Sequence, residues 1–220
     1  MKSFWEIPGP NKAPHEPCIA FYKYDGQNFR AEWSRKSGWY KFGSRNILID
    51  HTSSMGGAID VFLRTYGDEI ARVFVNNKMF RGLQRAVVFC EYFGPNSFAG
   101  VHVEGDPMEV VLFDVALDKQ GILIPRDFLN AFGHLRISEV IYQGNFGPQF
   151  IQDIREGKYP VKEGVVAKGV LQCRRGKEAH GLWMAKCKTQ WWLDELTRRA
   201  RENSRYVKDL EDNIKEQGNG

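Results

Sequence analysis

The chain has 220 residues, a net charge of +4 and a hydrophobic content of 42%, enough for one substantial core with a short appendage. The mild positive charge permits a polyanionic partner without demanding one. Four cysteines, Cys18, Cys90, Cys173 and Cys187, have neither zinc-ligand spacing nor the density of a disulfide framework. The N-terminus lacks a signal-peptide core, and the most apolar window, 110–117, is interrupted by Asp114 and too short to span a bilayer. The expectation is a soluble intracellular protein with reduced thiols and no membrane partner, cytoplasmic, or in a host cell's cytoplasm were the chain viral.

Residues 1–17 carry Pro8, Pro10, Pro14 and Pro17, which argues against a regular element. Strand texture starts at Cys18, with Ile19 and Phe21 alternating against smaller or polar positions, and Asp25-Gly26 breaks it. Residues 28–34 read as a second strand, Ser37-Gly38 as a turn and 39–42 as the return strand, before a polar loop, Gly43-Ser44-Arg45-Asn46. Ile59, Phe62, Leu63, Tyr66, Ile70, Val73 and Phe74 recur at helical spacing. Gly67 within that stripe predicts two short helices or one kinked helix, with Asp68 capping the second.

Residues 86–93 form a near-continuous apolar run, expected as a buried strand. Further strands are expected at 109–117, 121–124 and 137–142, and helices at 125–132 and 148–154, each opened by a proline. Residues 163–170 and 181–188 read as a hairpin around the basic turn Arg174-Arg175-Gly176-Lys177. From Trp191 the texture is helical: Trp192, Leu196, Ala200, Val207, Leu210 and Ile214 share a stripe, with Arg198, Arg199, Arg201 and Arg205 elsewhere around the axis.

Three sets of residues carry chemistry. Lys23 stands one residue before the Asp25-Gly26 turn and is a candidate nucleophile. A lysine becomes nucleophilic at neutral pH when neighbouring cations or a metal disfavour its protonated form. Lys186 and Lys188 share one face of a strand and could supply that effect, or could be the solvated face of an edge strand. Glu91 and Glu163 interrupt otherwise apolar strands, where a carboxylate is costly unless paired, hydrogen-bonded or metal-bound. They read either as acceptors for ribose hydroxyls or magnesium, or as salt-bridged strand ends.

The order of these segments resembles the covalent nucleotidyltransferases, the superfamily of ATP-dependent DNA and RNA ligases and mRNA capping enzymes. Lys23-Tyr24-Asp25-Gly26 is similar to the nucleophile motif and Phe89-Cys90-Glu91-Tyr92-Phe93-Gly94 to the third motif. Val111-Leu112-Phe113-Asp114 is similar to the aromatic strand after it. Glu163-Gly164-Val165-Val166-Ala167-Lys168 resembles the fourth motif, and Met184-Ala185-Lys186-Cys187-Lys188-Thr189 the fifth. The resemblance covers about residues 18–190. It implies an α+β fold: an ATP-grasp-like ligase nucleotidyltransferase domain of mostly antiparallel sheets flanked by helices. A proline-rich lead (1–17) would precede it and a helical tail (191–220) follow. The tail is too short for the five-stranded oligonucleotide-binding barrel of many relatives.

The resemblance also implies roles. Lys23 would attack the ATP α-phosphate to give lysyl-AMP; Glu91 would bind ribose; Phe113 would stack on adenine. Glu163 would bind Mg2+ or orient the lysine, and Lys186 and Lys188 would hold the α-phosphate. Tyr22, Asp25, Gly26, Asn28 and Arg45 complete the nucleotide-binding set. Asn28 and Ser44-Arg45-Asn46 resemble the phage and trypanosome-editing RNA ligases, whereas Asp25 is common among DNA ligases. The expected function is an ATP-dependent RNA ligase acting on 5′-phosphate and 3′-hydroxyl ends. A DNA nick ligase and a catalytically idle nucleotide- or RNA-binding module are the alternatives, and a capping guanylyltransferase a further one. Arg30, Arg35, Lys36, Arg45, Arg174 and Arg175 are candidate nucleic-acid contacts, with Trp33 or Trp39 as stacking surfaces or hairpin core.

Overall fold

A computed structural model describes residues 1–95, 105–171 and 181–217. Ten strands run in chain order: β1 (Pro17–Lys23), β2 (Gln27–Ser34), β3 (Gly38–Ser44), β4 (Leu48–Ile49), β5 (Arg85–Phe93), β6 (Glu109–Leu117), β7 (Gly121–Ile122), β8 (Val140–Asn145), β9 (Gly164–Val170) and β10 (Leu182–Lys188). The helices are α1 (Gly57–Phe62), α2 (Asp68–Asn76), α3 (Pro125–Phe132), α4 (Pro148–Arg155), α5 (Gln190–Glu202) and α6 (Val207–Gln217). The class is α+β with antiparallel sheets, as expected. No helix among the described residues is long and apolar enough to cross a membrane.

The chain divides into two compact units, one of Met1–Trp5 with Asp25–Ser138, the other of Glu6–Tyr24 with Glu139–Gly220. The divisions fall at 5/6, 24/25 and 138/139, the second of them inside the opening motif, between Tyr24 and Asp25.

The first unit is built on the six-stranded sheet β4-β3-β2-β5-β6-β7. One sheet face carries Phe29, Ala31, Val88 and Cys90, all buried, as alternation along β2 and β5 dictates. The helical stripe Ile59, Phe62, Tyr66, Ile70 and Phe74 is equally buried, and Phe29 meets Phe62 while Trp33 meets Phe74. Of the two arrangements expected here, one helix is observed, without a break at Gly67-Asp68. Gly67 stays right-handed helical (φ −49, ψ −55), its carbonyl accepts from Trp39 Nε1 at 2.8 Å, and a π-helical turn over Leu63–Gly67 joins α1 to α2. The wider turn lets the stripe stay on one face without a stop, so Asp68 lies inside the helix and caps nothing.

The second unit is built on the four-stranded sheet β10-β9-β1-β8. One face holds Cys18, Ala20, Val165, Ala167, Trp183, Ala185 and Cys187, packed on Phe146, Phe150 and Ile154 of the α4 region. Burial pushes the Cys18 and Cys187 thiols up to about 12, so both are inert core groups. β8 was expected at 137–142 but starts at Val140, because Ile137 bridges Leu112 and the Ser138 N–H donates to the Leu112 carbonyl, holding those residues in the first unit. The helical tail is two helices. Asn203 is extended (φ −147, ψ 115) between them, a residue type that favours turns over helix interiors. The arginines Arg198 and Arg199 pair with Glu195, and Arg198 also with Glu202, as a surface network.

Candidate active site

The second unit brings three predicted residues together. Lys23 ends β1 and Lys188 ends β10, and both pair in register with Gly164, the first residue of β9 between them. Residues directly opposite share a sheet face and sit about 5 Å apart, so the two lysines flank one glycine on the face turned away from the core. The Glu163 carboxylate receives both. Lys23 Nζ lies 2.8 Å from its two oxygens and Lys188 Nζ 2.9 Å from Oε1. A side chain at Gly164 would run into the Cys187 carbonyl oxygen and come within 2.8 Å of Lys188 Cα, and its φ of +148 is itself unfavourable for other residues. Lys186 lies opposite Val166, two residues along β10 from Lys188 and on the same face.

Burial sets the electrostatics. Glu163 is 3% exposed and Lys188 5%. Burial works against the Glu163 carboxylate's charge, but Lys188 and Lys23 outweigh it and hold its pKa below the ordinary range. Burial pushes the Lys188 ammonium down to about 8, with Glu163 opposing and Lys23 and Lys186 adding to the fall. Two residues without assigned roles complete the cluster. Trp192, in the first turn of α5, lies under Lys188 Nζ at 3.4 Å from the ring centroid. Thr189 caps α5: its Oγ1 accepts from the Trp192 N–H at 3.1 Å and donates to the Lys162 carbonyl at 2.6 Å, and its N–H donates to the Glu163 carbonyl at 3.0 Å. A threonine just before helical texture is an N-cap signal. Nothing in the sequence tells that Trp192 meets the lysine.

Tyr22 is placed differently from the expectation. Strand alternation turns its side chain to the core face, opposite Lys23, where it packs on the hydrophobic cluster and its hydroxyl accepts from the Lys162 N–H at 3.3 Å. Only its backbone is left for a ligand on the lysine face.

The first unit holds Asp25, Gly26, Asn28, Arg45, Glu91 and Phe113. Asn28, Glu91 and Val111 stand opposite one another on β2, β5 and β6, so Asn28 and Glu91 share a face. Asn28 Oδ1 is buried with no hydrogen-bond partner among the described residues, an acceptor that a ligand donor would satisfy. Gly26 packs against β5, where a Cβ would lie 2.8 Å from Phe93 Cβ. Phe113 is the extra residue of a bulge, because Leu112 pairs with Cys90 and Asp114 with Phe89. Its half-buried ring meets Phe4 edge-on at 5.2 Å and Phe89 at 6.4 Å.

The predicted nucleic-acid contacts divide. Arg30 is buried at 3%, and its guanidinium donates to the Lys2 carbonyl at 2.8 Å and Ser3 Oγ at 3.0 Å. It is a strut of the first unit's core, out of reach of an external phosphate. Trp33 is core, and Trp39 is fixed by Phe62 and the Gly67 carbonyl, so neither offers a free stacking face. Arg35, Lys36 and Arg45 are exposed, with Arg35 Nε donating to the Leu83 carbonyl. Arg174 and Arg175 lie outside the described residues. Among the described residues no three His, Cys, Asp or Glu side chains converge to hold a metal. The single Glu163 carboxylate fits a hard cation that keeps water and phosphate oxygens as its other ligands.

No family model and no curated protein sequence matches the chain. Solved structures do. A putative ATP-dependent DNA ligase from Aquifex aeolicus superposes with a TM-score of 0.58 at 16% identity, over 96% of this chain and 57% of that one. An RNA ligase from Naegleria gruberi, solved with pyrophosphate, superposes with a TM-score of 0.62 at 13% identity, over 90% of this chain and 59% of that one. A variant of the same ligase, with ATP and Mn, gives 0.62 at 12% identity, over 88% and 58%. This chain shares the fold of these ligases. It spans somewhat under two thirds of the length of these ligases.

Proposed function

We propose that the chain is the nucleotidyl-transfer part of an ATP-dependent polynucleotide ligase that joins RNA. The observation that carries this reading is the meeting of Lys23 and Lys188 on the buried carboxylate of Glu163 across Gly164. Two buried or half-buried cations on one carboxylate are expensive for a structural role alone. The arrangement suits a site in which a phosphate takes over part of the lysines' pairing.

In this reading Lys23 loses its ammonium proton to water, its Nζ lone pair bonds to the α-phosphorus of ATP, and the α–β bridging P–O bond breaks to release pyrophosphate, leaving AMP on Nζ. Lys188 and Lys186 stabilise the negative charge that grows on the α-phosphate oxygens. Glu163 orients the Lys23 side chain and would hold Mg2+, whose chemistry is to shield phosphate charge. Glu91 accepts from the ribose hydroxyls, Asn28 offers its unpaired oxygen to a nucleotide donor, and Phe113 stacks on the base. AMP then passes to a 5′-phosphate, and a 3′-hydroxyl displaces it to seal the strand.

RNA is favoured over DNA by Asn28 and by Ser44-Arg45-Asn46, and the RNA ligase likeness agrees with it. Asp25 and the Aquifex likeness favour a DNA nick ligase. Sealing of nicked RNA duplex, nicked DNA duplex and single strands, each carrying a 5′-adenylate so that the first step is bypassed, separates the readings. RNA nicks or ends should be joined at least about tenfold faster than DNA, about 1.4 kcal/mol of discrimination. Equal or preferential sealing of DNA nicks overturns the RNA assignment and leaves the nucleotidyl-transfer one in place.

A further inference from the structure

We propose that Trp192 is a positioning residue for Lys188: its indole face holds the ammonium against Glu163 and so fixes where that cation meets a phosphate. The inference rests on the reading of Lys188 as a phosphate-binding lysine.

Lys188 has to keep a positive charge with little water around it, since only 5% of its surface is exposed. One compensating partner is Glu163 Oε1 at 2.9 Å. A second is the Trp192 ring, with the nitrogen 3.4 Å from its centroid, directly over the π face. A ring face attracts a cation, most strongly when both are desolvated, and Trp192 is itself only 5% exposed. A flexible four-carbon stem could otherwise swing the charge through several rotamers. Between carboxylate and ring it has one place to be.

The ring is fixed by the local fold. Thr189 ties three pieces of backbone together: the start of β9 through the Lys162 and Glu163 carbonyls, the end of β10 through its own chain position, and the first turn of α5 through the Trp192 N–H. Lys188, Glu163 and Trp192 are therefore held from one capping residue. The charged groups facing the Lys188 ammonium are Glu163 before β9, Lys23 on β1 and Lys186 on β10, and α5 presents Trp192. A ring adds attraction without a negative charge, so it steadies the cation while leaving it able to serve a phosphate.

The test is single-turnover formation of the AMP adduct, compared among the wild type, Trp192→Phe, Trp192→Leu, Lys188→Met, and Lys188→Met combined with Trp192→Leu. Trp192→Leu keeps an apolar filler and removes the ring, and should slow the reaction about tenfold. Trp192→Phe restores a ring face and should recover most of the rate. In the Lys188→Met background, Trp192→Leu should cost nothing further, since neighbours acting through one another are not additive. Wild-type rates in Trp192→Leu, or the same loss with and without Lys188, overturn the proposal. The proton spectrum gives a readout free of activity: the Lys188 ε-methylene protons should lie upfield under the ring current and return to ordinary positions in Trp192→Leu. Absence of that displacement in the wild type also overturns it. Should the wild type form no adduct while the displacement is present, the nucleotidyl-transfer reading fails and the positioning of Lys188 stands.

Discussion

Glu163 is the residue on which the cluster depends for charge balance. Its folded pKa is depressed, so its ion pairs contribute stability above the ordinary carboxylate value of 4.5, and that contribution is lost as pH falls through the lower folded value. At the other end, Lys188 loses its proton as pH rises through about 8, which removes one half of the pairing. Glu163→Gln should therefore destabilise the protein by about 3 kcal/mol near neutral pH, the scale of a broken buried pair. In urea unfolding, the gap between wild type and variant should narrow as pH rises towards about 8, because without Glu163 the buried Lys188 gives up its proton at a lower pH, and should stay constant above it. A gap independent of pH would mean that the two charges are not coupled. Gly164→Ala makes a second demand at this scale. Its methyl meets the Cys187 carbonyl and Lys188 Cα, so a loss of about 2 kcal/mol or more is expected in the same measurement, with adduct formation falling alongside. A stable, active Gly164→Ala protein would contradict the close packing of β9 and β10.

At the scale of elements, two caps make opposite predictions. Thr189→Val keeps the shape and removes the hydroxyl that caps α5 and ties it to Lys162. It should cost about 1–2 kcal/mol. Asp68→Ala should cost less than about 0.5 kcal/mol, because Asp68 continues a helix and caps none. A costly Asp68→Ala would restore the helix break expected from Gly67-Asp68. The elements show why parts of the fold were legible. Buried strands such as β5, and helices opened by Pro125 and Pro148, declare themselves through apolar runs and fixed φ. The π-helical turn does not, since glycine is equally compatible with a stop and with a tight helix contact, and only Trp39 docking on Gly67 decides between them. β8 was displaced for a similar reason: Ile137 and Ser138 have strand character but are used by Leu112 of the other unit's sheet.

For the whole molecule, the site residues were legible in type and in order along the chain, and less so in environment. Lys23 and Lys188 meet on Glu163, three residues from segments that lie far apart in the sequence. Arg30 read as a surface contact because charge does not reveal burial, and it is core; of the two readings left open for Trp33, hairpin core is the one observed. Tyr22 stands next to Lys23 in sequence and on the opposite face in the sheet. The net charge is only +4, so nucleic-acid affinity should depend on a few exposed cations. Lys36→Ala and Arg45→Ala should each lower the slope of log affinity against log salt by about 0.7–0.9, read by fluorescence anisotropy with a labelled strand. Unchanged slopes would place the nucleic acid elsewhere.

The central claim is that Lys23 is the nucleophile of nucleotidyl transfer. The most direct measurement is the mass of the intact protein after incubation with ATP and magnesium, followed by peptide mapping of any adduct. We expect one AMP per chain, carried on Lys23 through an acid-labile phosphoramidate, discharged by added pyrophosphate and absent from Lys23→Ala. No adduct in the folded wild type, or an adduct that persists in Lys23→Ala, would contradict it.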